Sequence, residues 1–171
     1  VRQGSSGNLA ERMMGESGGF TYSTTTGRHQ TSGMSVSIFP ENEGGTSIEE
    51  FRENGKAIIG AYWRKHMEVL SKPKIFIGGW RDDETGRAVL DCVVVVKTDA
   101  EAAALCHKFK QMGYFDLKTK TYVEVEGARP GWETETPAWM NTLKEFDWMK
   151  DIMTKAQKST PNKTRVVMED T

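Results

Sequence analysis

The sequence predicts an α+β fold: an antiparallel sheet in split βαβ (ferredoxin-like) element order, followed by a C-terminal amphipathic helix. Three observations carry this. Residues 74–97 set two apolar runs, Ile75 to Trp80 and Ala88 to Val96, on either side of Asp82-Asp83-Glu84-Thr85-Gly86. That is the pattern of a β-hairpin whose loop ends on a glycine able to take φ > 0. From Met34 onward the patterns read strand, helix, strand, strand, helix, strand, with one more closing strand. Beyond Pro137, apolar residues recur at helical spacing.

Taken in order, residues 1–19 are dominated by glycine and serine, with only Leu9 to Met14 able to form a short turn of helix. They read as a flexible arm. The first residue is Val1, which fits either removal of an initiator methionine or proteolytic cutting. The stretch 20–126 is the α+β domain. It opens with strand-like pieces Phe20 to Thr24 and Met34 to Phe39. The second alternates Met34, Val36 and Ile38 with Ser35, Ser37 and Phe39, which places it at an outer position of the sheet. Pro40 and the cluster Glu41 to Gly45 end it.

Ser47 with Glu50 offers a capping box for a short helix, interrupted at Asn54-Gly55. A longer helix follows, with Ile58, Ile59, Tyr62, His66, Val69 and Leu70 as its stripe and Pro73 as its stop. After the central hairpin, Thr98 and Glu101 form a second capping box. The helix they begin carries Ala102, Leu105, Phe109 and Met112 on one face, with Gly113 as its C′ residue. Tyr114 to Leu117 and Thr121 to Val125 make another hairpin around Lys118-Thr119-Lys120. Residues 127–136 are a polar linker, 137–158 an amphipathic helix started by Thr136-Pro137, and 159–171 a flexible tail. No internal repeat is evident.

The chain of 171 residues, 37% hydrophobic, is long enough for one domain with a core. A formal charge of −1 provides no global field toward nucleic acid or anionic membrane, so such binding would need a local patch. Apolar runs such as Val93 to Val96 fall far short of the roughly 20 residues a spanning helix needs. No signal peptide is expected, and the default address is intracellular. Cys92 and Cys106 fit buried thiols better than a disulfide.

At residues 19–38 and 59–125 the chain resembles an uncharacterised domain of hypothetical proteins from tailed bacteriophages. The matching elements are Gly19-Phe20-Thr21, Thr26-Gly27, Thr31-Ser32-Gly33, Pro73, Gly78-Gly79-Trp80, Thr85-Gly86, Leu90-Asp91 and the helix at Ala100 to Ala104. The resemblance covers about two thirds of the chain. Where that domain carries Asn-Gln and then Ile-Trp-Asp, this chain reads Lys110-Gln111-Met112-Gly113-Tyr114-Phe115-Asp116. The resemblance implies phage origin, hence the host cytoplasm or the virion as location. It implies no activity.

Several stretches suggest chemistry. Gly27 to Ser35 has two glycines near a serine but lacks the spacing and the lysine of a phosphate-binding loop. Ser23-Thr24-Thr25 with Glu124-Val125-Glu126 is similar to the Ser-Thr-Ser and Glu-x-Glu elements of ADP-ribosyltransferases, where a glutamate stabilises charge at the nicotinamide ribose. A strand alternating Val123 and Val125 with Glu124 and Glu126 gives the same spelling as a half-exposed edge. His29, His66, His107, Cys92 and Cys106 lack metal-ligand spacing, and neither metal nor cofactor is expected. Asp82, Asp83 and Glu84 read as turn formers.

Lys108, Lys110, Lys118 and Lys120, interleaved with Phe109, Tyr114 and Phe115, are the minimum for single-stranded nucleic acid, or else a solvated lysine face. Residues 137–153 hold two Trp, one Phe and three Met, an apolar face wide enough to anchor in a partner groove. The same face would serve as a cover for the sheet. Val89, Val93 and Val95 on one side of their strand, and Leu90, Cys92, Val94 and Val96 on the other, require cover on both sides. The sequence reading is therefore a phage-encoded, non-enzymatic protein-interaction domain, a virion component or accessory factor. Its contact residues are Trp139, Phe146, Trp148 and Met149, with Trp80 as a second anchor. An ADP-ribosyltransferase-like enzyme and a single-stranded nucleic-acid binder are the alternatives.

Overall fold

The computed structural model describes residues 3–39, 43–109 and 111–125. The expected linker, C-terminal helix and tail lie outside the described residues. Eleven elements follow in chain order: α1 (Gln3–Met14), β1 (Gly19–Tyr22), β2 (Met34–Val36), β3 (Gly44–Ser47), α2 (Ile48–Lys65), α3 (Met67–Leu70), β4 (Ile75–Asp82), β5 (Arg87–Val96), α4 (Asp99–Lys108), β6 (Gly113–Asp116) and β7 (Thr121–Glu124).

The strands hydrogen-bond in the order β1-β4-β5-β2-β6-β7, with β3 also pairing β5. The run β4-β5-β2-β6 is the split βαβ order. The α2 crossover joins β2 to β4 with β5 between them, and the α4 crossover joins β5 to β6 with β2 between them. The fold is α+β with an antiparallel sheet, as the element order predicted. The chain divides into two compact units, with β5 running through both. The first takes in residues 3–30 and 43–92, the second 31–39, 93–109 and 111–125.

In the first unit, the expected N-terminal arm is instead helix α1. Leu9 and Met13, one helical turn apart, are 1% and 0% exposed. The glycine and serine content that suggested disorder is a packing surface. A Cβ on Gly55 of α2 would lie 3.1 Å from the Ala10 Cβ, and one on Gly60 would lie 3.8 Å from Ser6 Oγ. Small residues on facing helices let the axes approach closely. The C-terminal carbonyls of α1, which have no partner within the helix, accept from Arg81 Nη1: Met13 O at 3.0 Å and Gly15 O at 3.2 Å.

Ser47 caps α2 by accepting from Glu50 N at 3.1 Å, and Asn54 (φ −125°) breaks the helical geometry where the Asn-Gly pair predicted an interruption. The longer helix stops earlier than expected. His66 leaves helical geometry, and Val69 and Leu70 belong to the short α3. On β4, Ile75, Ile77 and Gly79 face α1, since a Cβ on Gly79 would strike the Phe20 ring and lie 3.0 Å from Met13 Sδ. Phe76, Gly78 and Trp80 lie on the opposite face. In β5, every residue from Ala88 to Val94 is buried, so both faces of the strand are covered.

In the second unit, β2 lies between β5 and β6 and not at an outer position. The hydroxyl face of this segment is covered as well: Ser35 and Ser37 are 8% and 2% exposed. Helix α4 starts with the full capping box: Thr98 Oγ1 accepts from Glu101 N at 3.1 Å and Glu101 Oε1 accepts from Thr98 N at 3.2 Å. It ends at Lys108 with Phe109 as its C-cap, so Met112 lies outside the helix and Gly113 opens β6.

The β4–β5 and β6–β7 connections are built alike. Asp82 Oδ1 accepts from Glu84 N (3.0 Å) and Thr85 N (3.3 Å), and Gly86 N donates to Asp82 O (2.9 Å). Asp116 Oδ1 accepts from Lys118 N (3.0 Å) and Thr119 N (3.3 Å), and Lys120 N donates to Asp116 O (2.8 Å). Both turns thus read Asp-x-x-Thr and close on a left-handed residue, Gly86 at φ +74° and Lys120 at φ +60°. This short similarity escapes a search for internal repeats.

Candidate functional site

A recess of about 390 Å³ opens in the first unit, lined by Ser5, Tyr22, Thr24, Thr25, Thr26, Gly27, Trp63, Met67 and Ser71. Its floor is aromatic: Tyr22 and Trp63 meet edge to face, with centroids 6.0 Å apart. The His29 ring is tilted against Tyr22, with centroids 5.0 Å apart. The rim is the tight loop after β1. Ser23 N donates to Arg28 O (2.9 Å), Gly27 N to Ser23 O (2.9 Å) and Thr26 N to Ser23 Oγ (3.1 Å). Gly27 takes φ +73°, which glycine adopts without the Cβ penalty.

The hydroxyls of the recess are specifically engaged. Thr24 Oγ1 donates to Leu70 O at 2.5 Å, and Ser71 Oγ donates to Glu68 O at 3.1 Å. Each has spent its proton and keeps acceptor lone pairs. Thr26 Oγ1 accepts from Arg28 N at 3.3 Å, and Tyr22 OH lies 3.4 Å from Ser5 Oγ. None of the nine lining residues carries a charge. A second depression, of about 410 Å³, is lined by Asn8, Glu11, Arg12, Gly15, Ser17 and His29. Burial first, and then the Arg12 guanidinium, hold His29 below its ordinary pKa. On the helix side, burial and then Lys65 lower His66, whose ring lies 4.4 Å from Tyr62.

The structure gives structural work to most of the stretches that suggested chemistry. Ser23 of the transferase-like pattern is buried, and its Oγ, 3.1 Å from Thr25 Oγ1, holds the loop after β1. Glu124 is exposed on β7, and Glu126 lies outside the described residues. Asp82 is 3% exposed; besides the two amides, it takes the Thr85 hydroxyl at 2.6 Å. Asp83 pairs with Arg81 at 3.0 Å at the surface.

Of the aromatics among the lysines, Phe109 and Tyr114 are 5% and 4% exposed, and the Tyr114 hydroxyl donates to Asp99 at 2.7 Å. Phe115 is half-buried, and Lys110 lies outside the described residues. Cys92 and Cys106 are both buried thiols, with Cys92 Sγ 3.4 Å from Tyr62 OH. Among the described residues, no three His, Cys, Asp or Glu side chains form a metal-binding group, and no helix is long and apolar enough to cross a membrane.

Of the expected contact residues, Trp80 is half-buried on β4, on the face away from α1, and its indole Nε1 is buried with no hydrogen-bond partner among the described residues. Trp139, Phe146, Trp148 and Met149 lie outside the described residues. The recess was missed. Trp63 falls one position off the apolar stripe read from α2, and the other walls come from distant parts of the chain. The only local signal was the hydroxyl run Thr24-Thr25-Thr26 ahead of Gly27. Comparison with protein-family models, with curated proteins and with solved structures finds no match to this chain.

Proposed function

We propose that this chain is a phage-encoded, non-enzymatic protein-interaction domain, a virion component or accessory factor that engages a phage structural or host protein. The observation that carries the reading is the concentration of Trp139, Met140, Phe146, Trp148, Met149 and Met153 within residues 137–153. Aromatic side chains supply much of the energy in such contacts because they bury large area at little entropic cost, and methionines adapt their shape to an irregular partner surface. Trp80, half-buried on β4, is the second anchor.

The roles of the remaining candidates support binding over reaction. Ser23 and Asp82 hold turns, and Phe109 and Tyr114 are packed inside, leaving the lysines only the half-buried Phe115 as a stacking platform. The test is a pull-down and virion-incorporation assay comparing the full chain with one lacking residues 136–171. The reading predicts loss of the partner on truncation; retention of every partner would refute it. Transfer of label from NAD to any protein, abolished by Glu126→Gln, would establish the transferase reading in its place.

A further inference from the structure

We propose that the recess between the loop after β1 and the C-terminal end of α2 binds a neutral polyhydroxylated ring, that is, a sugar residue. The inference stands apart from the protein-contact reading and uses none of its residues. The recess volume, about 390 Å³, lies at the low end of the roughly 300–1,000 Å³ typical of small-molecule sites, which suits one or two rings.

Charge decides the ligand class. With no Lys or Arg among its lining residues, the recess cannot repay the desolvation of a phosphate or carboxylate, and with no Asp or Glu it cannot repay that of a cation. Hydrogen-bond polarity narrows the class further. Thr24 and Ser71 have given their protons to Leu70 O and Glu68 O, so toward the recess they only accept. Thr26 accepts from Arg28 N and keeps its proton to donate. Tyr22 and Ser5 form a hydroxyl pair that can do either.

Acceptors, a donor and ambivalent hydroxyls around an uncharged hollow match a ligand whose groups both donate and accept, and hydroxyls do so at every position of a sugar. The C–H faces of such a ring carry slight positive charge. They suit the Tyr22 and Trp63 rings of the floor, and the Met67 side chain, 45% exposed, supplies a polarizable apolar wall at the rim. A peptide strand, by contrast, is recognised along an extended edge, and this recess is a half-open hollow at the end of a helix.

The test is an NMR titration of the full chain with the methyl glycosides of glucose, galactose, mannose and N-acetylglucosamine, following the Trp63 indole N–H and the Met67 methyl. At least one glycoside is expected to shift both signals. Ser71→Ala, which removes one acceptor, should weaken binding about two- to tenfold. Met67→Glu, at an exposed position that leaves the fold intact, should abolish the shift of the Trp63 indole N–H, the one of the two signals that this variant retains. No shift with any of the four, or a Trp63 shift that Met67→Glu leaves unchanged, overturns the inference. So does displacement of the same signals by inorganic phosphate, or by N-acetyl-alanine amide in the absence of any glycoside response.

Discussion

Met13→Ala tests whether the N-terminal residues belong to the core. Met13 is 0% exposed, on the last turn of α1, with its sulfur over Gly79 of β4 and beside Phe20 of β1. Burying such a side chain contributes about 1.5–3 kcal/mol, and truncating it to alanine in a packed site costs about 2–5 kcal/mol once the cavity is counted. The upper half of that range applies only where the surroundings cannot collapse. Here Arg81 fixes the end of α1 to β4 through Met13 O and Gly15 O, and β1 is registered on β4 from Gly19↔Trp80 to Tyr22↔Ile77.

The expected loss is therefore about 3–4 kcal/mol. Against a total of about 5–15 kcal/mol for an ordinary domain, that is a large fraction. Urea unfolding followed by circular dichroism should show a lower midpoint at unchanged slope. Glu11→Ala, on the exposed side of the same helix, should stay within about 0.5 kcal/mol of the parent chain. If Met13→Ala also falls within that margin, α1 is not a core element.

The two matched turns make Lys120→Gly a stabilising substitution. Lys120 occupies the left-handed position that Gly86 fills in the other hairpin, at a cost of about 1–2 kcal/mol for a residue with a Cβ. After the backbone entropy of glycine is set against that, a gain of about 0.5–1 kcal/mol in urea unfolding is expected, and Gly86→Lys should show a loss; no gain at 120 would refute the turn geometry. Burial, followed by Cys92, raises the Tyr62 phenol, and burial, followed by the hydrogen bond to Asp99, raises that of Tyr114. Unfolded, both ionise near pH 10. Their contribution to stability is complete below that pH and is lost as the pH rises above it, because only the unfolded chain releases the protons. In an absorbance titration, these two of the four tyrosines should ionise only on unfolding; all four titrating together near pH 10 in folded protein would contradict the packing.

What the sequence revealed and what it concealed divide along physical lines. Residues 74–97 identify the β4–β5 hairpin, because alternation, β-branched residues and a turn ending in glycine agree there. Thr98-x-x-Glu101 placed the start of α4 to the residue, because a capping box is a local, side-chain-specific signal. The β2 strand was misplaced because Ser35 and Ser37 look solvent-exposed; hydroxyls can be buried, and only the neighbours β5 and β6 reveal it. The β3 strand, Gly44-Gly45-Thr46-Ser47, has too few side chains to carry a period. Helix α1 was hidden by composition: its small residues are an adaptation to the close approach of α2, and that partner lies more than 40 residues away in the chain. The recess is assembled from three separated stretches, at Ser5, residues 22–27 and residues 63–71, and no local pattern announces such a site.

The central claim is that the aromatic residues beyond Pro137 contact another protein. A photo-crosslinking amino acid placed at Trp148 of the full chain, activated in infected cells and in purified virions, tests it most directly. The account predicts a crosslink to one defined phage or host protein, lost on Phe146→Ala together with Met149→Ala. Crosslinks confined to this chain's own sheet, at residues such as Val89 or Val93, would contradict it.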